Sequence, residues 1–216
     1  MVSIKRRVFM AWAIACLASA QPTWAEEATD KGNAMLKAAS PLGDRVLGRL
    51  DAPVTFIEYA SATCPHCAEF HVKVLPLIKS EYIDTGKVKF IFREFPLDQL
   101  ALGVFMLTRC LPEDKFFPTT DLLFRRQQIW AQAENPEVEI TKIMTMAGMD
   151  KATFEACIKN SDKAKAMNEY AKKSAADFDI KGTPALFING KYIDGHKEMA
   201  DVKMELDAAI TAASQK

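Results

Sequence analysis

Cys64-Pro65-His66-Cys67 holds two thiols with only two residues between them. That spacing lets the sulfurs form one disulfide or act together on another. The residues before it, 54–59, are β-branched and aromatic and read as a strand. Ser61-Ala62-Thr63 reads as a short loop, and a helix is expected from about Cys64, with Pro65 in the first turn, where its missing N–H costs nothing. Cys64 would then sit where unpaired N–H groups and the helix dipole favour negative charge. A protonated His66 would add to this. Cys67, one turn further in, is expected to be shielded and to stay an ordinary thiol until used.

An anionic Cys64 has a redox consequence. Only the reduced form carries the thiolate, so stabilising it favours reduction. Each pKa unit is worth about 1.4 kcal/mol, or about 30 mV for a two-electron couple. The Pro-His pair therefore points to donating disulfides rather than reducing them.

The five cysteines are Cys16, Cys64, Cys67, Cys110 and Cys157. In an exported chain that has lost Cys16, four remain, which suggests two disulfides among three connectivities. Cys64–Cys67 is the obvious close pair. Cys110 and Cys157 are left as a second bridge, worth roughly 4 kcal/mol if unstrained, or as two free thiols. A metal site is the competing reading of Cys-x-x-Cys, but it needs two further ligands. His71, four residues after Cys67, supplies at most one, so no metal is expected. Met144, Met146 and Met149 do not share one helical face and read as core filling. His196, after a turn glycine, reads as a surface residue.

Several elements must position this motif. The helix opened by Cys64 should run to about residue 84, kinked by Pro76. A second strand follows at 88–92. Residues 98–178 show no strand pattern and read as helices at 100–111, 120–133, 138–147, 151–159 and 163–178, punctuated by Pro112, Pro118, Pro136 and Gly148. After Gly182-Thr183-Pro184 comes a strand at 185–188. Asn189-Gly190 is a strong hairpin signal, with a returning strand at 191–194 and an amphipathic helix at 199–213. Residues 26–50 read as a tail, with a possible edge segment near Val46-Leu47.

The chain has 216 residues, 49% of them hydrophobic and 26% charged, with net charge +0. That excludes a disordered chain and disfavours a nucleic-acid binder acting by phosphate neutralisation. No apolar run is long enough for a polytopic membrane protein. Lys5-Arg6-Arg7, the apolar run 8–20 and Thr23-Trp24-Ala25 make a secretory leader, with cleavage after Ala25 or, alternatively, Ala20. Loss of 1–25 removes three basic residues and no acid, leaving 25 against 28 and a net charge of −3. The processed chain is then expected in the periplasm, with no stable membrane insertion.

The strand, Cys-Pro-His-Cys at a helix start, a helical insertion and Gly182-Thr183-Pro184 before a hairpin together resemble the DsbA family of periplasmic thiol oxidases. The resemblance covers residue 51 to the C-terminus. It implies an α/β, thioredoxin-like fold with an inserted α-helical domain: a thioredoxin-like domain from 51–97 and 179–216, and the insertion at 98–178. It implies a redox-active Cys64–Cys67 disulfide, with Pro65 and His66 between the cysteines. It further implies a cis Thr183–Pro184 peptide that faces Cys64 and holds substrate backbone, and Glu58 as a buried acid that moves the Cys67 proton. Cys110–Cys157 resembles a structural bridge of some alpha-proteobacterial members. The implied partners are reduced or unfolded exported proteins and a DsbB-like, quinone-linked membrane oxidase; no cofactor is implied. His71 departs from the pattern, standing where the best-known member carries a second acid. A disulfide isomerase or reductase on the same fold is the alternative, and a non-catalytic holdase or metal-binding protein is a more distant one.

Overall fold

The computed structural model of the protein describes residues 24–193 and 199–215, with side-chain burial from residue 30. The expected leader and its cleavage sites lie outside these residues, save Trp24 and Ala25, and so does His196.

Helix α1 (Trp24–Lys37) precedes edge strand β1 (Arg45–Leu47) and strand β2 (Val54–Ala60). The motif helix follows as α2 (Pro65–Glu69), a π-turn at Phe70–Val74, α3 (Leu75–Ile78) and a second π-turn at Lys79–Ile83. Strand β3 (Val88–Glu94) leads into six helices: α4 (Gln99–Thr108), α5 (Glu113–Arg125), α6 (Gln127–Ala131), α7 (Pro136–Met146), α8 (Lys151–Ile158) and α9 (Ser161–Phe178). Strands β4 (Ala185–Ile188) and β5 (Lys191–Ile193) form the hairpin, and α10 (Met199–Ala213) closes the chain.

The sheet order is β1-β3-β2-β4-β5. Only β2 and β3 pair in parallel, with Glu58 beside Phe92; the other pairs are antiparallel. Strand alternation splits β2 between two cores. Val54, Phe56 and Ala60 face the motif helix and the inserted helices, together with Cys64, Cys67, Phe90 and Phe92. Ile57 and Tyr59 face the other way, against Met35, Ala171, Phe178 and Phe187. Glu58 shares the register of Phe56 and Ala60, so a carboxyl is carried into the first core with 0% exposure.

The structure corrects the sequence reading at several places. Residues 26–50 are more than a tail: most of α1 lies there, and its Met35 is buried against the second core. Met35 and the half-buried Leu36, adjacent in the chain, leave little apolar period to read. The edge strand β1 falls at Val46-Leu47 as expected. Pro118 does not delimit a helix but sits inside α5. It is exposed and so is Asp114, whose carbonyl loses the proline's N–H on a face open to water. Pro76, expected to kink its helix, lies in the first turn of α3. Its helix widens just before it, and the N–H of Leu75 reaches back to the carbonyl of Phe70. Of the three methionines read as core, Met144 and Met149 are buried and Met146 is exposed.

Candidate functional site

Cys64 caps α2. Its backbone is extended, Pro65 occupies the first turn, and its sulfur accepts the backbone N–H of Cys67 at 3.5 Å. Ser61 anchors the loop by accepting the Cys64 N–H at 3.1 Å. The Thr183–Pro184 peptide is cis, and the Thr183 carbonyl oxygen lies 3.1 Å from the Cys64 sulfur. The sequence-predicted pair Cys64–Cys67 and the loop at Thr183-Pro184 therefore meet at one place, though 119 residues separate Cys64 from Thr183.

The two thiols, both reduced here, are driven apart in acidity. Cys64 is lowered from 9.0 to about 5. The chief cause is the hydrogen bond from the Cys67 thiol; burial of the sulfur opposes it and is outweighed. The Thr183 side chain and the backbone N–H groups of Cys67 and His66 lower it further. The Thr183 hydroxyl is buried with no other hydrogen-bond partner, which leaves it available to the anion. The backbone N–H of His66 is thus one of the donors that favour the anion. Cys67 is raised well above 9.0, first by burial, then by donating to Cys64 and by the negative charge of Glu58.

Behind Cys67, the Glu58 carboxyl is fully buried. Its Oε2 lies 2.8 Å from Nε2 of His71, and its Oε1 has no hydrogen-bond partner. His71 lies one turn beyond Cys67 on the same helix and is itself buried. The sequence marked it as a departure from the family pattern and as a weak metal ligand. The structure makes it the partner of Glu58. Among the described residues, no group of three His, Cys, Asp or Glu side chains is placed to hold a metal ion.

Two further residues support the motif. Buried Gln127, at the start of α6, donates its Nε2 to the carbonyls of Ala62 and Cys64, both at 2.8 Å. Asp98 caps α4 through the Ala101 N–H at 2.8 Å and accepts the Thr63 hydroxyl at 2.6 Å. An N-capping Asp before a helical stretch was readable; nothing in the local sequence marked Gln127. These residues help line a cleft of about 530 Å³ beside Pro65. Away from the motif, Cys110 and Cys157 are joined, with 6.3 Å between their Cα atoms.

Comparison with known proteins places this geometry. The thioredoxin family model matches residues 40–208. A protein of Rickettsia prowazekii, provisionally named a protein-disulfide oxidoreductase, is 30% identical over 177 residues, which is 80% of this chain and 64% of that one. The chain therefore spans just under two thirds of that relative's length. Disulfide bond formation protein D of Bacillus subtilis is 28% identical over 195 residues, 83% of each chain. The crystal structure of Wolbachia pipientis alpha-DsbA1 matches with a TM-score of 0.71 and 30% identity, covering 79% of this chain and 92% of that one. A protein-disulfide isomerase of Novosphingobium aromaticivorans, 23% identical with a TM-score of 0.68, shares the fold.

Proposed function

Since the chain belongs to the thioredoxin family, within its DsbA-like group of thiol:disulfide oxidoreductases, we propose that it is an oxidase, introducing disulfides into exported proteins through Cys64 and Cys67. The observation that carries this reading is the opposed acidity of the two sulfurs, with Cys64 at about 5 and Cys67 pushed up by burial. A thiolate so stabilised is a good leaving group and a poor reductant.

In the reaction, a substrate thiolate attacks Cys64 Sγ of the Cys64–Cys67 disulfide. The Cys64–Cys67 bond breaks, a substrate–Cys64 bond forms, and Cys67 leaves with the electron pair and takes a proton. The second substrate thiolate then attacks the substrate sulfur of the mixed disulfide, and Cys64 departs as the anion. The substrate is oxidised by two electrons and the protein is reduced. Glu58, beneath Cys67, exchanges the Cys67 proton. The loop at Thr183-Pro184 holds the substrate backbone beside Cys64. Reduced exported proteins are the substrates, the periplasm is the compartment, and a DsbB-like, quinone-linked membrane oxidase takes the electrons away. Among the described residues no helix is long and apolar enough to cross a membrane.

Equilibration in a glutathione buffer, paired with ribonuclease assays, tests the reading. The protein should be markedly more oxidising than thioredoxin, whose potential is about −270 mV, and should oxidise reduced ribonuclease. A potential near that of thioredoxin, or reactivation of scrambled ribonuclease without oxidation of the reduced form, would replace it with a reductase or isomerase.

A further inference from the structure

Resolution of a mixed disulfide on Cys64 requires Cys67 to lose a proton in a place that opposes its ionisation. Cys67 is 0% exposed. The nearby base, Glu58, is also 0% exposed, and a buried carboxylate is tolerated only when hydrogen-bonded. Its partner is His71 Nε2, 2.8 Å from Glu58 Oε2. If Glu58 is to accept a proton it must begin ionised, and a carboxylate only accepts hydrogen bonds, so Nε2 must carry the hydrogen. That bond occupies Oε2 and leaves Oε1, which has no other partner, as the oxygen open to the Cys67 proton.

The imidazole is not free to turn away. Its ring lies against Phe124 at 4.1 Å between centroids, tilted by 30°, and meets Phe70 and Phe92 nearly edge-on at 5.9 and 5.7 Å. Its remaining surface borders a groove of about 800 Å³ between the motif helix and α5. The charges around that groove are Lys79, Glu113, Asp114, Asp121 and Arg125. Lys79 is paired with Asp84, and Arg125 with Asp121. Glu58 is the charge in hydrogen-bond contact with Nε2.

We propose that His71 is a positioning residue for the resolving step: a cage of three aromatic rings aims its Nε2–H at Glu58, which keeps that buried carboxyl ionised and presents Oε1 as the base for Cys67. The inference rests on the role given to Glu58 above. In the step it serves, Glu58 takes the Cys67 proton. Cys67 Sγ attacks Cys64 Sγ, the Cys64–Cys67 bond forms, and the departing thiolate leaves with the electron pair of the broken bond. Glu58 then returns its proton to water.

The test uses the full reduced protein mixed with oxidised glutathione, and follows release of glutathione from the Cys64 adduct by rapid quench between pH 5 and pH 9. His71→Phe should slow release at neutral pH by at least about tenfold, the lower range of general-base effects being about a hundredfold. Its dependence on pH should differ from that of the wild type, because Glu58 Oε2 then lacks the donor that orients it. His71→Gln, whose amide replaces the Nε2–H, should recover most of the neutral-pH rate. Release from His71→Phe at the wild-type rate, with an unchanged profile, overturns the proposal; so does equal slowing in both variants, which would mark loss of packing alone. Glu58→Gln separates the premise, since wild-type release from it removes the Glu58 role itself. Imidazole ¹⁵N spectra of the reduced wild-type protein give an answer independent of variant folding. Nε2 should be protonated at neutral pH, and a bare, pyridine-like Nε2 overturns the assignment.

Discussion

Across the first turn of α2, the backbone N–H of Cys67 points at the sulfur of Cys64, 3.5 Å away. The thiol of the same residue also donates to that sulfur and is the largest cause of its acidity. Cys67 is thus both the redox partner of Cys64 and the chief stabiliser of its anion.

The ultraviolet absorbance of the reduced protein should accordingly show a thiolate titrating near pH 5. Cys64 is depressed in the folded state from 9.0 to about 5. Between those values the unfolded chain binds the extra proton, so the stability that Cys64 confers on the reduced form rises with pH, by about 1.4 kcal/mol per pH unit. It is fully present above pH 9 and is lost as pH falls through 5. The disulfide form has no such group. Denaturation of both forms should therefore show the reduced form gaining on the oxidised one from pH 5 to pH 8. A gap that does not change over this range would contradict the assignment.

Replacing Cys67 separates its two roles. Cys67→Ser keeps a hydroxyl donor beside Cys64, whereas Cys67→Ala removes it. Mixed with oxidised glutathione, both variants should accumulate a Cys64–glutathione disulfide, visible as added mass: the Cys64 thiolate displaces one glutathione thiolate, and no second protein thiol attacks Cys64 to release the other. The Cys64 titration should stay low in Cys67→Ser and move to higher pH in Cys67→Ala. Equal midpoints in the two variants would show that the helix terminus alone sustains the anion.

Gln127 ties the inserted helices to the motif. Its Nε2 serves two buried carbonyls, Ala62 and Cys64. Gln127→Leu removes the side-chain donor from both, leaving the Cys64 carbonyl with the N–H of Ala68 at 3.2 Å, and should cost on the order of 1–3 kcal/mol. Because one of the two belongs to Cys64 itself, disulfide exchange should slow as well. Urea denaturation and a ribonuclease oxidation assay check the two effects, and a variant unchanged in both would reduce Gln127 to a packing residue.

What the sequence revealed follows from how local each signal is. The strand before Cys64, proline in the first turn and Asn189-Gly190 are neighbours in the chain, and the structure has β2, α2 and the β4–β5 hairpin where they predicted them. Glu58 was reachable through family resemblance, since its distance from Cys64 along the chain is short. His71 was visible as a departure and a weak metal ligand but not as the partner of Glu58, because that role depends on the register that turns Glu58 inward and on the widened turn before Pro76. Gln127 reaches the motif across 63 residues of sequence, through tertiary packing that no local pattern reports. Helix α1 escaped notice for a related reason: its inward apolar residues against the second core are the adjacent pair Met35 and Leu36, which show no helical period.

The strongest stability effect is expected at Arg109, at the end of α4. Its guanidinium clasps both oxygens of Glu94 at the end of β3, with Nη2 2.7 Å from Oε2 and Nε on Oε1. Its Nη1 donates to the carbonyls of Leu42 and Gly43 at 2.8 and 2.7 Å. Both charged side chains are almost wholly buried. One side chain therefore joins the inserted helices, the sheet and the segment before β1. Arg109→Ala strands a buried carboxylate and two carbonyls, a loss of about 3–5 kcal/mol for a broken buried pair. For a chain of this size that lowers Tm by on the order of 10 °C. Arg109→Met combined with Glu94→Leu removes both charges together and should cost less than Arg109→Ala alone, because no buried ion is left unpaired. Calorimetry on the single and double variants decides the matter: both lack the carbonyl contacts, so a double variant less stable than the single one would show that the stranded Glu94 carboxylate is not the main loss.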